Sequence, residues 1–197
     1  MSVPYDSEVE YVRTNYGLCR LDYIPTGYNI SADIKIQING FVDNNSQYLV
    51  FGSYTSTANV VYYFRKRYAN SSSDISFDWN TKPWQHSKYI SNGIGSILNI
   101  TCENQTVTIN GTSYTFTKVT GDTNTSRFIF GSSKCDVNVY KCKLWNNGVL
   151  IVDIIPVRVG TIGYLYDKVS GKLFGNAGSG DFILGNDIVD TIASGES

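Results

Sequence analysis

The sequence predicts an all-β protein in which two antiparallel sheets stack on each other. Apolar and polar side chains alternate along several short segments, as they do in half-buried strands. Turn residues separate these segments at intervals of roughly 8 to 12 residues, the spacing typical of β-sandwiches. The composition agrees: 15 Tyr, 9 Phe and 3 Trp favour strands, whereas a single Met and four Glu give helices little support.

The first half of the chain predicts four strands. Residues 33–39 have the clearest alternation, with three isoleucines on the face that we expect in the core. Residues 47–54 and 59–68 predict two further strands, rich in aromatic side chains. A serine turn then leads into a fourth strand, whose core-facing side chains are predicted to be Ile75, Phe77 and Trp79.

A tight hairpin is predicted for residues 105–116. Its two-residue loop, Asn110-Gly111, suits the left-handed backbone that such a turn requires at both positions. A strand through residues 98–102 leads into it. The loop length sets the register and therefore places two pairs opposite each other: Ile109 with Thr112, and Val107 with Tyr114.

A second Asn-Gly hairpin is predicted further along the chain. It joins residues 140–146 to residues 149–155 through Asn147-Gly148, and another strand precedes it at residues 127–131. No segment has a convincing helical period, although residues 186–193 could form a short helix. We therefore expect one sandwich domain over residues 9–186, with tails at 1–8 and 187–197.

Charge and hydropathy argue against two classes of partner. The formal net charge is −1, so the chain offers no field that would attract nucleic acid. No apolar run approaches the roughly 18 residues of a membrane-spanning helix, and we expect no membrane insertion. The first ten residues lack a basic segment followed by an apolar run, so no signal peptide is recognised.

The four cysteines do not have the spacing of a zinc site. They form no C-x-x-C pair, and the single histidine, His86, is distant from all of them in sequence. We expect buried free thiols, with a bridge between Cys135 and Cys142 as the alternative. No metal site is predicted from these residues.

The C-terminal third of the chain contains three recognisable segments, Asp153 to Arg158, Gly163 to Phe174 and Asn176 to Phe182. Together they resemble a signature of concanavalin A-like, or laminin-G-like, domains, which are common in proteins of gut bacteria and their phages. The resemblance covers residues 9–185. It implies a jelly-roll sandwich of two antiparallel sheets that serves surface attachment, carbohydrate recognition or virion decoration. Most of the signature is predicted to be architectural, because Asp167, Ser170 and Gly171 suit a tight turn between strands and Pro156 suits a position that needs no ladder N–H. The residues that carry the resemblance are Asp153-Ile154-Ile155-Pro156-Val157-Arg158, the run from Gly163 to Phe174, Asn176 to Phe182, Tyr23 to Gly27, and the pairs Phe51-Gly52 and Phe130-Gly131.

Enzymatic relatives of this fold cleave β-glucans with paired carboxylates on one strand, and that pattern is missing. Retaining hydrolysis needs two carboxyl groups about 5 Å apart. The four glutamates show no E-x-D-x-x-E spacing, and a triad would have to converge on His86 alone. No phosphate-binding loop is present either. We therefore predict a protein that is not an enzyme.

Aromatic and hydrogen-bonding side chains between residues 62 and 84 predict a candidate sugar site. Sugars offer apolar C–H faces bordered by hydroxyls, which aromatic rings and polar groups together can bind. Trp84, which follows Pro83, is the best candidate for an exposed platform. The predicted ligand-binding residues are Trp84, Tyr62, Arg65, Asn80 and Tyr68.

No cofactor is predicted, with calcium left open as an alternative at two loops, Asp43-Asn44-Asn45 and residues 122–124. The favoured function is a non-catalytic module that presents a surface within a virion, as a phage head decoration, fibre or tail protein. The alternative is a lectin-like adhesin domain of a bacterial surface protein. The predicted partner is accordingly a glycan or a neighbouring surface protein, a homo-oligomer is compatible with either, and the predicted location is the virion or the cell surface.

Overall fold

The computed structural model describes residues 3–26, 29–43, 47–54, 60–66, 75–82, 88–91, 93–119 and 126–188. These residues form two sheets of antiparallel strands and contain no helix, so the predicted all-β sandwich is confirmed. No helix that could span a membrane is found in the described ranges.

The larger sheet has eleven strands. Its path runs β11-β10-β9-β4-β13-β14-β15-β16, while β1 pairs with β14, β2 with β13, and β17 with β2. The strands are β1 (Ser7–Glu8), β2 (Val12–Arg13), β4 (Ile30–Phe41), β9 (Ile97–Glu103), β10 (Thr106–Ile109), β11 (Thr112–Thr115), β13 (Cys135–Asn146), β14 (Val149–Val159), β15 (Ile162–Asp167), β16 (Lys172–Phe174) and β17 (Ile183–Leu184).

The smaller sheet has six strands in the order β3-β12-β5-β6-β7-β8. They are β3 (Leu18–Arg20), β5 (Leu49–Ser53), β6 (Val61–Lys66), β7 (Ile75–Thr81), β8 (Lys88–Ile90) and β12 (Ile129–Gly131).

The core between the sheets combines aliphatic strands with a cluster of aromatic rings. Ile34, Ile36 and Ile38 of β4 are fully buried, as their alternation predicted. On the smaller sheet, Trp79 is also fully buried, which confirms its predicted core position. Its indole N–H donates to the Ile30 carbonyl at 2.8 Å, so one hydrogen bond joins the two sheets through the core.

Both predicted Asn-Gly hairpins are present. In the first, Ile109 pairs with Thr112 and Val107 pairs with Tyr114, the predicted register. In the second, the flanking strands β13 and β14 are longer than predicted, and a bulge lies between Leu144 and Trp145. Two-residue loops therefore determined the local register in both cases.

The turn between β15 and β16 has the predicted architecture. The Asp167 carboxylate accepts hydrogen bonds from the backbone N–H groups of Val169 and Ser170 and from the Ser170 hydroxyl, at 3.2, 3.2 and 2.6 Å. Gly171 has a φ of 71° and donates to the Asp167 carbonyl at 2.8 Å. Asp167 also accepts from the Asp153 N–H at 2.8 Å, which ties the turn to β14.

Residues at the inner ends of both predicted tails contact the folded unit. Ser7 and Glu8, assigned to an N-terminal tail, form β1 and pair with Arg158 and Val157. At the other end, Asp187 binds the Arg158 guanidinium through two contacts of 2.7 Å. Hydropathy did not indicate β1, because a strand of two residues shows almost no alternation of apolar and polar side chains.

All four cysteines are buried and unbridged, as expected for free thiols. The alternative bridge between Cys135 and Cys142 is not formed. Burial raises the pKa of every one of these thiols, because the apolar core disfavours the thiolate. They act as small apolar core residues.

Candidate functional site

Strands β6 and β7 of the smaller sheet are buried on both faces. Along β6, Tyr62 and Phe64 point into the core between the sheets, whereas Val61 and Tyr63 belong to a separate apolar cluster. Leu49 and the residue after β5, Tyr54, pack against that second cluster. Because successive side chains in a strand point to opposite faces, the second cluster lies on the face directed away from the larger sheet, here called the outer face.

Strand pairing places polar side chains side by side on the outer face. One row runs from Ile129 through Gly52 and Tyr63 to Asp78. The next row contains Leu49, Arg65, Ser76 and Tyr89. The polar members of these rows are therefore cross-strand neighbours that can contact each other.

A hydrogen-bond network connects these neighbours. The Tyr63 hydroxyl donates to the Asp78 carboxylate. Arg65 donates from Nε to the Ser76 hydroxyl at 3.1 Å and from Nη1 to the side-chain carbonyl of Gln47. Its guanidinium carbon lies 5.0 Å from the centre of the Tyr63 ring, within the range of a cation–π contact.

Burial lowers the pKa of Arg65, an effect partly opposed by nearby tyrosines and by Asp78. Arginine nevertheless stays protonated at neutral pH, since its ordinary pKa lies so high. The outer face thus contains a permanently charged guanidinium in a mostly dry setting. In such a setting its attraction for an anionic or polar ligand is stronger than in water.

Two cavities open beside this network and share Leu49 and Tyr54 in their walls; together they are called the outer groove. The first has a volume of about 230 Å³ and the second about 330 Å³. Cavities of about 300–1,000 Å³ are typical of small-ligand sites. The described lining of the first cavity is Gln47, Leu49, Tyr54, Tyr63 and Arg65, and that of the second is Arg20, Leu49, Tyr54, Ser126, Arg127 and Ile129.

The lining combines rings with hydrogen-bond donors. The Tyr54 ring meets the Tyr63 ring edge to face, with centroids 5.4 Å apart. Apolar Leu49 and Ile129 lie beside them, and three arginines provide donors. Such an arrangement can hold a ligand that has both an apolar face and polar edges. None of the described lining residues is Asp, Glu or His.

The structure separates the five residues that the sequence analysis grouped as a site. Arg65 lines the outer groove. Tyr62 instead packs in the core, with its ring 5.2 Å from that of Trp79, and its hydroxyl donates to the side-chain oxygen of Asn80 at 3.3 Å. Tyr68 and Trp84 lie outside the described residues.

Asn80 differs from the prediction because of a bulge. The register between β6 and β7 shifts between Val61 and Tyr62, and Asn80 has no partner in the ladder. Its φ is 51°, and it is fully buried. Asn80 and Tyr62 therefore make structural contacts in the core, away from the outer groove that Arg65 lines.

Sequence reasoning missed the residues that do line the groove with Arg65. The alternation contained part of the signal: with Tyr62, Phe64 and Trp79 in the core, Tyr63, Arg65 and Asp78 must face outward. It contained no signal for the contributions from distant segments, which the sheet order brings together. Those residues are Arg20, Gln47, Leu49, Tyr54, Ser126, Arg127 and Ile129.

The calcium alternative gains no support at its first loop. Asp43 accepts the Tyr48 hydroxyl at 2.7 Å through its carboxylate and the Lys66 ammonium at 2.5 Å through its carbonyl. The other members of both loops, Asn44, Asn45 and residues 122–124, lie outside the described residues. Within the described ranges, no cluster of three or more His, Cys, Asp or Glu side chains could hold a metal ion.

A smaller cavity of about 180 Å³ lies at the edge of the sandwich, between the segment after β3 and strands β14 to β16. Its walls are mainly apolar, the Asp22 carboxylate there is paired with Lys172, and the Asp167 carboxylate is the acceptor that organises the β15–β16 turn. This cavity therefore offers less polar chemistry to a ligand than the outer groove.

Comparison with known proteins adds no family assignment: the chain matches no protein-family model and no curated protein. The function is accordingly inferred from the groove and its chemistry.

Proposed function

We propose that the chain is a non-catalytic carbohydrate-binding module and that the outer groove holds the sugar. The observation that carries the proposal is the groove itself, in which tyrosine rings and apolar side chains adjoin arginine and glutamine donors. A pyranose ring has the matching surface, with C–H faces that pack on rings and hydroxyls that bond to fixed polar groups.

The proposal includes a concanavalin A-like jelly-roll architecture. It is supported by the two antiparallel sheets and by the β15–β16 turn, which the resembling C-terminal block builds. In such a sandwich, function resides in the site and not in the fold. The outer groove therefore carries the functional argument, and the fold provides its rigid support.

The proposed role is binding without catalysis. Retaining hydrolysis of a glycosidic bond needs two carboxyl groups about 5 Å apart, one on each side of the bond. Around the groove, the Asp78 carboxylate accepts a hydrogen bond from the Tyr63 hydroxyl and is fully buried. The groove's donors suit recognition of hydroxyl and acidic groups better than proton transfer to a leaving group.

Replacing Tyr54 with alanine tests the sugar-binding role. We expect Tyr54→Ala to weaken binding of the best-bound glycan on an array at least about fivefold, because a packed aromatic contact is worth about 1 kcal/mol or more. Binding is measured by isothermal titration calorimetry, with folding checked by circular dichroism.

Tyr166→Ala is the matched control. Tyr166 is also half-buried and also packs on one tyrosine, with its ring 5.1 Å from that of Tyr5, but it lies on the larger sheet. We expect it to leave glycan affinity unchanged. Equal losses in both variants, or no glycan bound by the unaltered chain, would contradict the proposal.

A second candidate function is that of a structural module in a virion or a bacterial surface assembly. The larger sheet would then dock on a neighbouring protein, and the outer groove would be presented to the outside. Segments 3–9 and 182–188 meet on the larger sheet, through β1, β17 and the Val9–Asp187 bridge. The outer groove lies on the smaller sheet, so docking through the larger sheet would leave it open. Native mass spectrometry tests this: we expect a defined oligomer or a complex with a particle protein, and a strict monomer that joins no particle argues against it.

A further inference from the structure

We infer that the outer groove selects acidic glycans, whose carboxylate or sulfate groups its arginines bind, over neutral glycans of the same size. This inference rests on the proposed carbohydrate-binding function and adds the class of sugar. It starts from the charge of the lining: Arg20, Arg65 and Arg127 line the two cavities, and the described lining contains no carboxylate.

These arginines come from three separate strands or connections that the sheet order brings together. Arg20 is in β3 and pairs with Ile129 of β12, which in turn pairs with Gly52 beside Tyr63. Arg127 lies two residues before the start of β12. The sheet thus brings three arginines to one face, where the described carboxylate in the outer-face rows, Asp78, is fully buried, in a chain whose net charge is only −1. A local field of this kind attracts anions even when the whole protein is close to neutral.

Ion pairs among the described residues balance only part of the charge of Arg20 and Arg127. Arg20 is exposed and takes part in none of the ion pairs between described residues. Arg127 lies 3.5 Å from Asp22, but Asp22 is bonded more closely, at 2.7 Å, to Lys172. One carboxylate therefore serves two cations, and the positive charge of Arg127 is only partly balanced.

Arg65 contributes geometry as well as charge. Its two described hydrogen bonds are to the neutral side chains of Ser76 and Gln47, and its guanidinium packs on Tyr63. The planar group is thus held in place beside the first cavity. A fixed guanidinium suits a carboxylate or sulfate, which presents oxygen atoms in the matching plane, better than a hydroxyl.

A panel of paired glycans tests the selectivity. The panel contains oligosaccharides with uronic acid, sialic acid or sulfate groups, each beside a neutral counterpart that is carboxyl-reduced, desialylated or desulfated. We expect at least one acidic member to bind ten or more times more tightly than its counterpart. This preference should shrink as salt rises from 0.1 to 1 M, since the screening length falls from about 10 Å to about 3 Å.

Charge-matched variants locate the effect. Arg20→Gln combined with Arg127→Gln should weaken the acidic glycan at least tenfold and its neutral counterpart by a clearly smaller factor, because glutamine keeps a hydrogen-bond donor for hydroxyls but loses the charge that binds the anion. The control combines Lys134→Gln with Lys168→Gln, which removes the same charge from exposed positions outside the groove lining. We expect the control pair to bind like the unaltered chain.

The outcomes of these experiments distinguish a failure of the proposed carbohydrate binding from a failure of the inferred selectivity for acidic glycans. If no glycan of either kind binds, the carbohydrate-binding function itself is wrong. If glycans bind but each acidic member and its neutral counterpart bind equally well, the function stands and the inferred selectivity is overturned. The selectivity is likewise overturned if the lysine control weakens acidic glycans as much as the arginine pair does.

Discussion

Trp79→Ala is expected to destabilise the protein by about 3–5 kcal/mol, the range for removing a large buried aromatic side chain. Trp79 is fully buried and lies among Phe51, Tyr62, Phe64 and Phe128, with ring centroids 5.2–6.4 Å away. Its removal leaves a cavity between the sheets and orphans the Ile30 carbonyl, which accepts the indole N–H. For a domain of this size the midpoint of thermal unfolding should fall by roughly 10 °C.

Trp79→Phe separates packing from the hydrogen bond. It retains an aromatic ring in the cluster but loses the donor to Ile30, so we expect a smaller loss of about 1–2 kcal/mol. Urea unfolding followed by far-ultraviolet circular dichroism measures both variants. A loss below about 1 kcal/mol for Trp79→Ala would show that the aromatic cluster does not hold the sheets together in the way described.

Gly52→Ala is expected to cost about 3 kcal/mol or more, through backbone strain and steric overlap together. Gly52 lies between Ile129 and Tyr63 in the outer-face row and has a φ of 131°. A Cβ atom there would lie 2.1 Å from the Tyr62 carbonyl oxygen and 2.5 Å from the Tyr63 Cα. Both are backbone atoms, so β5 and β6 would have to separate beneath the groove.

Gly111→Ala provides the comparison. Gly111 also has a positive φ, of 87°, but a Cβ there meets nothing within 4 Å. We expect Gly111→Ala to reduce the free energy of unfolding by only about 1–2 kcal/mol, since it introduces backbone strain without steric overlap. Thermal unfolding and glycan titration are run on both variants. Equal destabilisation by the two alanines would contradict the close approach of β5 to β6.

Much of the fold was predictable because turn length and the alternation of apolar and polar side chains determined the best-predicted elements without help from distant residues. The two-residue loop Asn110-Gly111 sets the register of its hairpin. In β4, apolar and polar side chains alternate because one face of the strand packs in the core and the other is partly exposed to solvent. The terminal strands were missed for the opposite reason. β1 and β17 have only two residues each, and their partners on β14 and β2 determine their conformation.

The site was less predictable because it depends on sheet order and on one bulge. The alternation in β7 indicated which of its faces packs on the larger sheet, but β6 has aromatic side chains on both faces, so hydropathy did not show this for β6. The bulge beside Val61 then turned Asn80 inward, against the simple alternation. Arg20 and Arg127 reach the groove because β3 and β12 lie next to β5 in the sheet. The local sequence pattern does not indicate this order of strands.

The most direct measurement is nuclear magnetic resonance mapping of the tightest acidic oligosaccharide onto the isotopically labelled chain. The account predicts that the backbone amides that shift during titration cluster around the outer groove, at Arg20, Leu49, Tyr54, Ser126, Arg127 and Ile129. Amides of β13 to β15 on the larger sheet should stay unchanged. Saturable binding whose shifts fall on the larger sheet, with the groove amides unmoved, would contradict it.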